Sequence, residues 1–318
     1  MNRLGTVNTD TYCYSNWQDL IKSAPPSSQA PWAHSQLSNK FWHAANITTK
    51  DKQHVIKYRT DTIHTAKPSA RFNQQNSSAN CPLCGAPDSS NHILLRCNHP
   101  TLQQMHINRH HLAVSLCGAE ISKGDLGSSI ITMDAHNNDK LSHLNIHPPH
   151  NITRTIPDWL FPNQQHQSSR HQSRPDGVLV TSLPERTQYP DPKQIPHRDR
   201  DIRLIEFNFF SGTNPHPTLQ RAREQHKNLI TKLQSKSQRG QNRNNRVTLH
   251  IILVGVAGTI YNQHTIQLFL NLGLSKHAAH KLATQSHLHA IKSLTHNQNK
   301  TCTPIWHTVL WGFGGEGW

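Results

Sequence analysis

Cys81, Cys84, His92 and Cys97 fall in the stretch CPLCGAPDSSNHILLRC with the spacing C-x2-C-x7-H-x4-C. Two thiolates two residues apart grip one ion from a tight turn, and GAPDSSN swings the chain round to deliver an imidazole and a third thiolate. Zinc is the expected ion, and His99, just beyond Cys97, is the alternative imidazole. Leu83, Ile93, Leu94 and Leu95 are too few to fold this stretch alone, so metal binding has to supply the folding free energy. Four protein ligands leave no open coordination position, which assigns this zinc to structure or nucleic-acid contact and not to chemistry. Cys13, Cys117 and Cys302 fit no ligand spacing. Three of six cysteines in one cluster argue for metal in a reducing compartment rather than a disulfide framework.

The rest of the chain bounds the partner. Lys+Arg total 33 against 18 Asp+Glu, a formal charge of +15, and 26 histidines add positive charge as pH falls. Such a surplus suits a polyanion, and nucleic acid is the expected one, because Lys and Arg contacts to phosphate supply most non-specific affinity. Only 34% of residues are apolar, so a packed core with long loops is expected. No apolar run is long enough to span a membrane and MNRLGTVNTDTYCYSNW has no signal-peptide core. The chain is therefore expected inside the cell, in the nucleus if its partner is DNA, with no membrane contact and no indication of oligomeric state.

Along the chain, residues 1–39 are polar and Pro/Ser-rich and are expected to be disordered, and 40–80 to hold a short helical segment. The knuckle occupies 81–97. PTLQQMHINRHHLAVSLCGAEI then spaces Leu102, Met105, Ile107, Leu112, Val114 and Leu116 as a helix does. Loops are expected at about 134–155 and 182–200. DGVLV and IRLIEFNFF read as strands, and TLQRAREQHKNLITKLQSK as an amphipathic helix whose stripe is Leu219, Ala222, His226, Leu229, Ile230 and Leu233. VTLHIILVGVAG reads as a third strand, HTIQLFLNLG and SKHAAHKLATQSHLHAIKSL as helices, and 301–318 as a flexible tail. The expectation is an α/β (α+β) fold, a mixed sheet flanked by helices, over 98–300.

Asp176, in RPDG, opens the first of these strands, and Glu206 lies within the second. Alternation puts Glu206 and Asn208 on one face. If the strands are neighbours, Asp176 and Glu206 converge on one ion, and two carboxylates with water suit magnesium. Asp-Gly is equally a turn signal, and Glu206 between Ile205 and Phe207 equally a solvent-facing strand residue.

KYRTDT, the knuckle, RHH at 109–111, RPDGVLV, LIEFNFFSGT, AREQHKNL and LHIILVGVAGTIYNQHT together make residues 40 to 300 resemble a known region. It is the C-terminal part of proteins encoded by non-LTR (LINE-like) retrotransposons, where a CCHC knuckle precedes a restriction-enzyme-like PD-(D/E)XK endonuclease. The resemblance implies that Asp176 and Glu206 hold the catalytic Mg2+. It implies that Arg109 and His110, joined by Arg174, contact nucleic acid, the DNA target and the element RNA. Gln225 and His226 match a polar pair on the helix behind the site. One departure stands out: the family pattern places lysine where this chain has Asn208, and asparagine orients water without supplying charge. Lys227 or Arg223 would have to reach in from the helix, or else the chain is a nucleic-acid-binding remnant that has lost catalysis. No YxDD-like aspartate pair is present, so the reverse transcriptase is lacking.

Overall fold

The computed structural model describes residues 36–60, 79–134, 156–157, 159–160, 174–212, 214–235 and 246–311. The expected disorder of 1–35 and most of the expected 134–155 loop lie outside the described residues. In chain order come α1 (Thr49–Arg59), α2 (Pro100–Ile121), β1 (Ile130–Met133), β2 (Gly177–Ser182) and β3 (Arg200–Phe210). They are followed by α3 (His216–Ser235), β4 (Arg246–Gly255), α4 (Asn262–Asn271) and α5 (Lys276–Trp311). The strands form one mixed sheet in the order β1-β2-β3-β4, antiparallel across the first two pairs and parallel across β3 and β4. The mixed α/β expectation is thereby met.

β3 is the long central strand, apolar on both sides because both sides are covered. On one face Leu179, Ile205, Phe207, Ile252 and Val254 pack with Ala113, Val114 and Cys117 of α2 and with Phe269 and Leu282 of α4 and α5. On the other, Val178, Val180, Ile202 and Leu204 meet Leu229 and Leu233 of α3. β1 was not anticipated: IITM is too short a run to show a period, and its strand character comes from pairing with β2.

The N-terminal segments belong to the same body. Phe41, Trp42, Ile47 and Val55 share a cluster with Leu94 of the knuckle, Val256 and Ala257 after β4, and Ile291 and Leu294 of α5. Order begins before position 40: the 3-10 turn Leu37–His43 buries Leu37, and Ser38 Oγ donates to the Ile260 carbonyl at 3.1 Å. A capping box starts α1, with Thr48 Oγ1 accepting from the Asp51 amide and the Thr48 amide donating to Asp51 Oδ2. Arg59 ties the parts together by donating to the carbonyls of Ser38 and Ala257 from above the Phe41 ring. At the other end α5 continues to Trp311, so 301–311 are helical where a flexible tail was expected. The glycines that suggested the tail all lie beyond that helix.

Candidate functional site: a Cys3His cluster and a pair of opposed carboxylates

The knuckle is built by two tight backbone devices. The Cys81 amide donates to the Ala86 carbonyl at 2.7 Å and Gly85, at φ 75°, turns the chain back beneath the thiols. Residues His92–Arg96 then form a π turn, closed by the Cys97 amide on the His92 carbonyl at 2.7 Å, and this turn carries His92 and Cys97 to one side. The donor atoms of Cys81, Cys84, His92 and Cys97 all lie within 4.8 Å of one another. That set fits a tetrahedral ion and chooses His92 over His99. Burial pushes the Cys97 thiol up to about 12, so holding it as thiolate at neutral pH would take the field of a cation. Among the described residues no other set of three or more such groups lies this close.

The two acids lie near enough for the charge of one to act on the other. β2 and β3 pair up to Gly177 opposite Ile205, so Asp176, the residue before β2, lies beside the Glu206 position of β3, the first held from α2 and the second from α3. Asp176 Oδ2 accepts the Phe207 amide at 2.6 Å, next to Glu206, and Oδ1 is 2.9 Å from His110 Nε2. Glu206 Oε1 accepts from Asn208 Nδ2 at 3.2 Å, and Oε2 is 2.9 Å from Nε2 of His226, a side chain with no exposure at all. Asp176 and Glu206 are themselves 6% and 7% exposed. Each carboxylate oxygen thus has one partner and retains a further lone pair, the capacity an ion would use. The Asp-Gly pair is no turn here, because Gly177 lies in β2 without positive φ and a Cβ on it would meet Met133 Sδ at 3.1 Å.

Electrostatics couple the pair. Burial raises the Glu206 carboxyl above its usual range, and the charge of Asp176 adds to the rise against the opposing bond from His226. At His110 burial acts downward but is outweighed by the charge and hydrogen bond of Asp176, then by Glu206 and Asp134, so the imidazole is held above its ordinary value. Asp134 escaped the sequence reading, having no motif around it. It reaches the centre because its amide donates to the Asp176 carbonyl at 2.7 Å, and its side chain pairs with Arg174 at 2.9 Å.

Several expected site residues lie elsewhere. Arg109 is 4% exposed and makes no surface for nucleic acid; it donates to the Leu94 carbonyl at 2.9 Å with its guanidinium 4.4 Å from the Phe209 ring centre. Burial lowers it to about 10. It bolts the knuckle to β3. His110, the next residue, turns to Asp176 instead, and Arg174 is half-buried against Asp134. Gln225 and Arg223 are exposed on α3, and Lys227 pairs with Glu224 at 3.6 Å in solvent. The helical phase explains this correction. His226 sits on the stripe facing the sheet, so its neighbours on either side are turned away and Lys227 does not supply the missing base.

No helix among the described residues is long and apolar enough to cross a membrane. No family model matches the chain, and no curated protein matches it.

Proposed function

We propose that this chain is a retroelement-derived endonuclease of the PD-(D/E)XK kind, which nicks double-stranded DNA in the nucleus for target-primed integration and holds a structural zinc in its knuckle. The observation that supports the reading is the nearness of Asp176, just before β2 and bound to the Phe207 amide, to the buried Glu206 of β3, each with lone pairs to spare. Two carboxylates with few other ligands suit Mg2+, which would supply positive charge to the scissile phosphate and acidify its bound water. The protein's own part is positional. The Phe207 amide fixes Asp176, His226 and Asn208 fix Glu206, and His110, held above its ordinary value by its acidic neighbours, stands against Asp176. DNA is the proposed target and element RNA a second partner, both drawn by the basic surplus.

The second reading, a nucleic-acid-binding remnant, is favoured by Asn208 in the lysine position and by Lys227 pairing in solvent. Zinc-loaded protein incubated with supercoiled plasmid and Mg2+ or Mn2+ separates the two. Nicked circles are expected, with Asp176→Asn and Glu206→Gln each lowering the rate by about 100-fold or more, the equivalent of several kcal/mol of transition-state stabilisation. Asn208→Lys is expected to raise it. Nicking that survives both acid substitutions removes the catalytic assignment, and no nicking in any variant, with salt-sensitive DNA binding intact, leaves the remnant.

A further inference from the structure

Among the described residues β4 is an outer strand, pairing with β3 alone. A groove of about 340 Å³ lies against it, lined by four successive residues, Thr248, Leu249, His250 and Ile251. Successive side chains of a strand point to opposite faces, so a depression touching all four runs along the edge of the strand rather than over either face. Its walls are helical stripes. Leu219, Arg223 and Ile230 of α3 form one, and His264, Gln267 and Leu268 of α4 the other. A strand edge held open between two helices presents the main-chain donors and acceptors that an incoming extended segment pairs with.

The lining states the chemistry of the occupant. No carboxylate lines the groove, Arg223 and His264 are exposed on opposite walls, and the buried His250 Nε2 has no hydrogen-bond partner. Leu219, Ile230 and Leu249 are half-buried and supply apolar surface between these polar groups. A peptide whose apolar and acidic side chains come in successive pairs, so that each face of the added strand carries both kinds, matches both walls. A second copy of this chain does not, since a two-fold pairing of β4 edges would bring each copy's Arg223 and His264 towards the other's. Single-stranded nucleic acid fits less well, because a sugar-phosphate chain offers no regular ladder of donors and acceptors to pair with the main chain of the β4 edge.

We infer that the β4 edge, between α3 and α4, accepts an extended acidic segment of a partner protein as an added strand. The test is fluorescence anisotropy with a labelled peptide of about ten residues repeating Val-Val-Glu-Glu, titrated with the full chain. Saturable binding is expected. It should weaken about tenfold or more when alternate peptide amides are N-methylated, which removes the ladder bonds at about 1 kcal/mol each. It should also pass from the glutamate peptide to a valine–lysine peptide in the Arg223→Glu/His264→Glu variant. Both substituted side chains are exposed, and an unchanged thermal melt verifies the fold. The inference is overturned by absence of saturable binding, by equal binding of the N-methylated peptide, or by a variant that keeps the original preference. Displacement of the peptide by oligo-dT, or a β4-dependent dimer in sedimentation, assigns the groove to nucleic acid or to a second copy and equally overturns it.

Discussion

Replacing Cys97 by serine is expected to abolish zinc binding at the Cys3His cluster and lower the melting temperature of the zinc-loaded protein by about 10 °C, the effect of roughly 4 kcal/mol in a chain of this size. The loss is larger than the few residues of the knuckle would suggest, because the knuckle is keyed into the main body. Leu94, 1% exposed, sits between the ligands in sequence and is packed among Phe41, Trp42, Val256 and Ile291. Its carbonyl receives Arg109, and the Ile93 carbonyl lies 3.0 Å from His106 Nε2. Without the ion the π turn that presents Leu94 loses the anchoring of His92 and Cys97 at its two ends, and zinc affinities in such knuckles correspond to about 10 kcal/mol or more. A colorimetric zinc assay with thermal denaturation in the presence and absence of chelator checks this. Cys117→Ala is the control: Cys117 is buried between α2 and the sheet, so its substitution should lower stability while leaving zinc content unchanged.

Acid should unfold the protein well before its carboxylates protonate. His287 has no exposure; its Nδ1 lies 2.6 Å from the Gly258 carbonyl and its Nε2 accepts the Phe41 amide at 3.2 Å. Gly258, at φ 78°, is required there, since a Cβ would come within 2.5 Å of the ring nitrogen. A proton added at Nε2 would face an N–H donor. Burial accordingly pushes His287 down to about 3, assisted by the charges of Arg59 and Lys40 and opposed by the Gly258 carbonyl. His106, His250 and His289 are lowered to about 4, first by burial. Between about 6.5, the unfolded value, and the folded values, the unfolded chain binds more protons, so stability is level above 6.5 and falls as pH drops through that window. Each fully buried histidine contributes a slope of up to about 1.4 kcal/mol per pH unit. His110 and Glu206, both raised, act in the opposite direction. Urea midpoints measured from pH 7.5 to 5 should decline steeply, and His287→Gln should remove about one proton from the slope; a midpoint independent of pH over that range would refute the account.

The strands and the amphipathic α3 were legible because their patterns are strong: VLV and IILV are continuous apolar runs, LIEF is interrupted only by Glu206, and the α3 stripe repeats at helical spacing. The knuckle was legible because ligand spacing is a local property. What the sequence could not carry was depth. Arg109 and His110 are adjacent and basic, yet a turn of 100° between helical neighbours sends one under the Phe209 ring and the other to Asp176. The same rotation separates His226, which reaches Glu206, from Lys227, which reaches solvent. His226 was visible as a member of the apolar stripe, and a histidine amid Leu219, Ala222, Leu229 and Leu233 is itself the signal of a buried polar partner. Asp134 left no such trace, since it is brought in by the pairing of β1 with β2.

The carboxylate pair is tested most directly by titrating the zinc-loaded protein with Mn2+ and following the free ion by electron paramagnetic resonance. Asp176 and Glu206 together predict one bound Mn2+ per chain, displaced by Mg2+ and lost in Asp176→Asn. Free Mn2+ undiminished by the protein, or a bound ion that Asp176→Asn and Glu206→Gln both leave in place, would contradict a metal-dependent centre at these two residues.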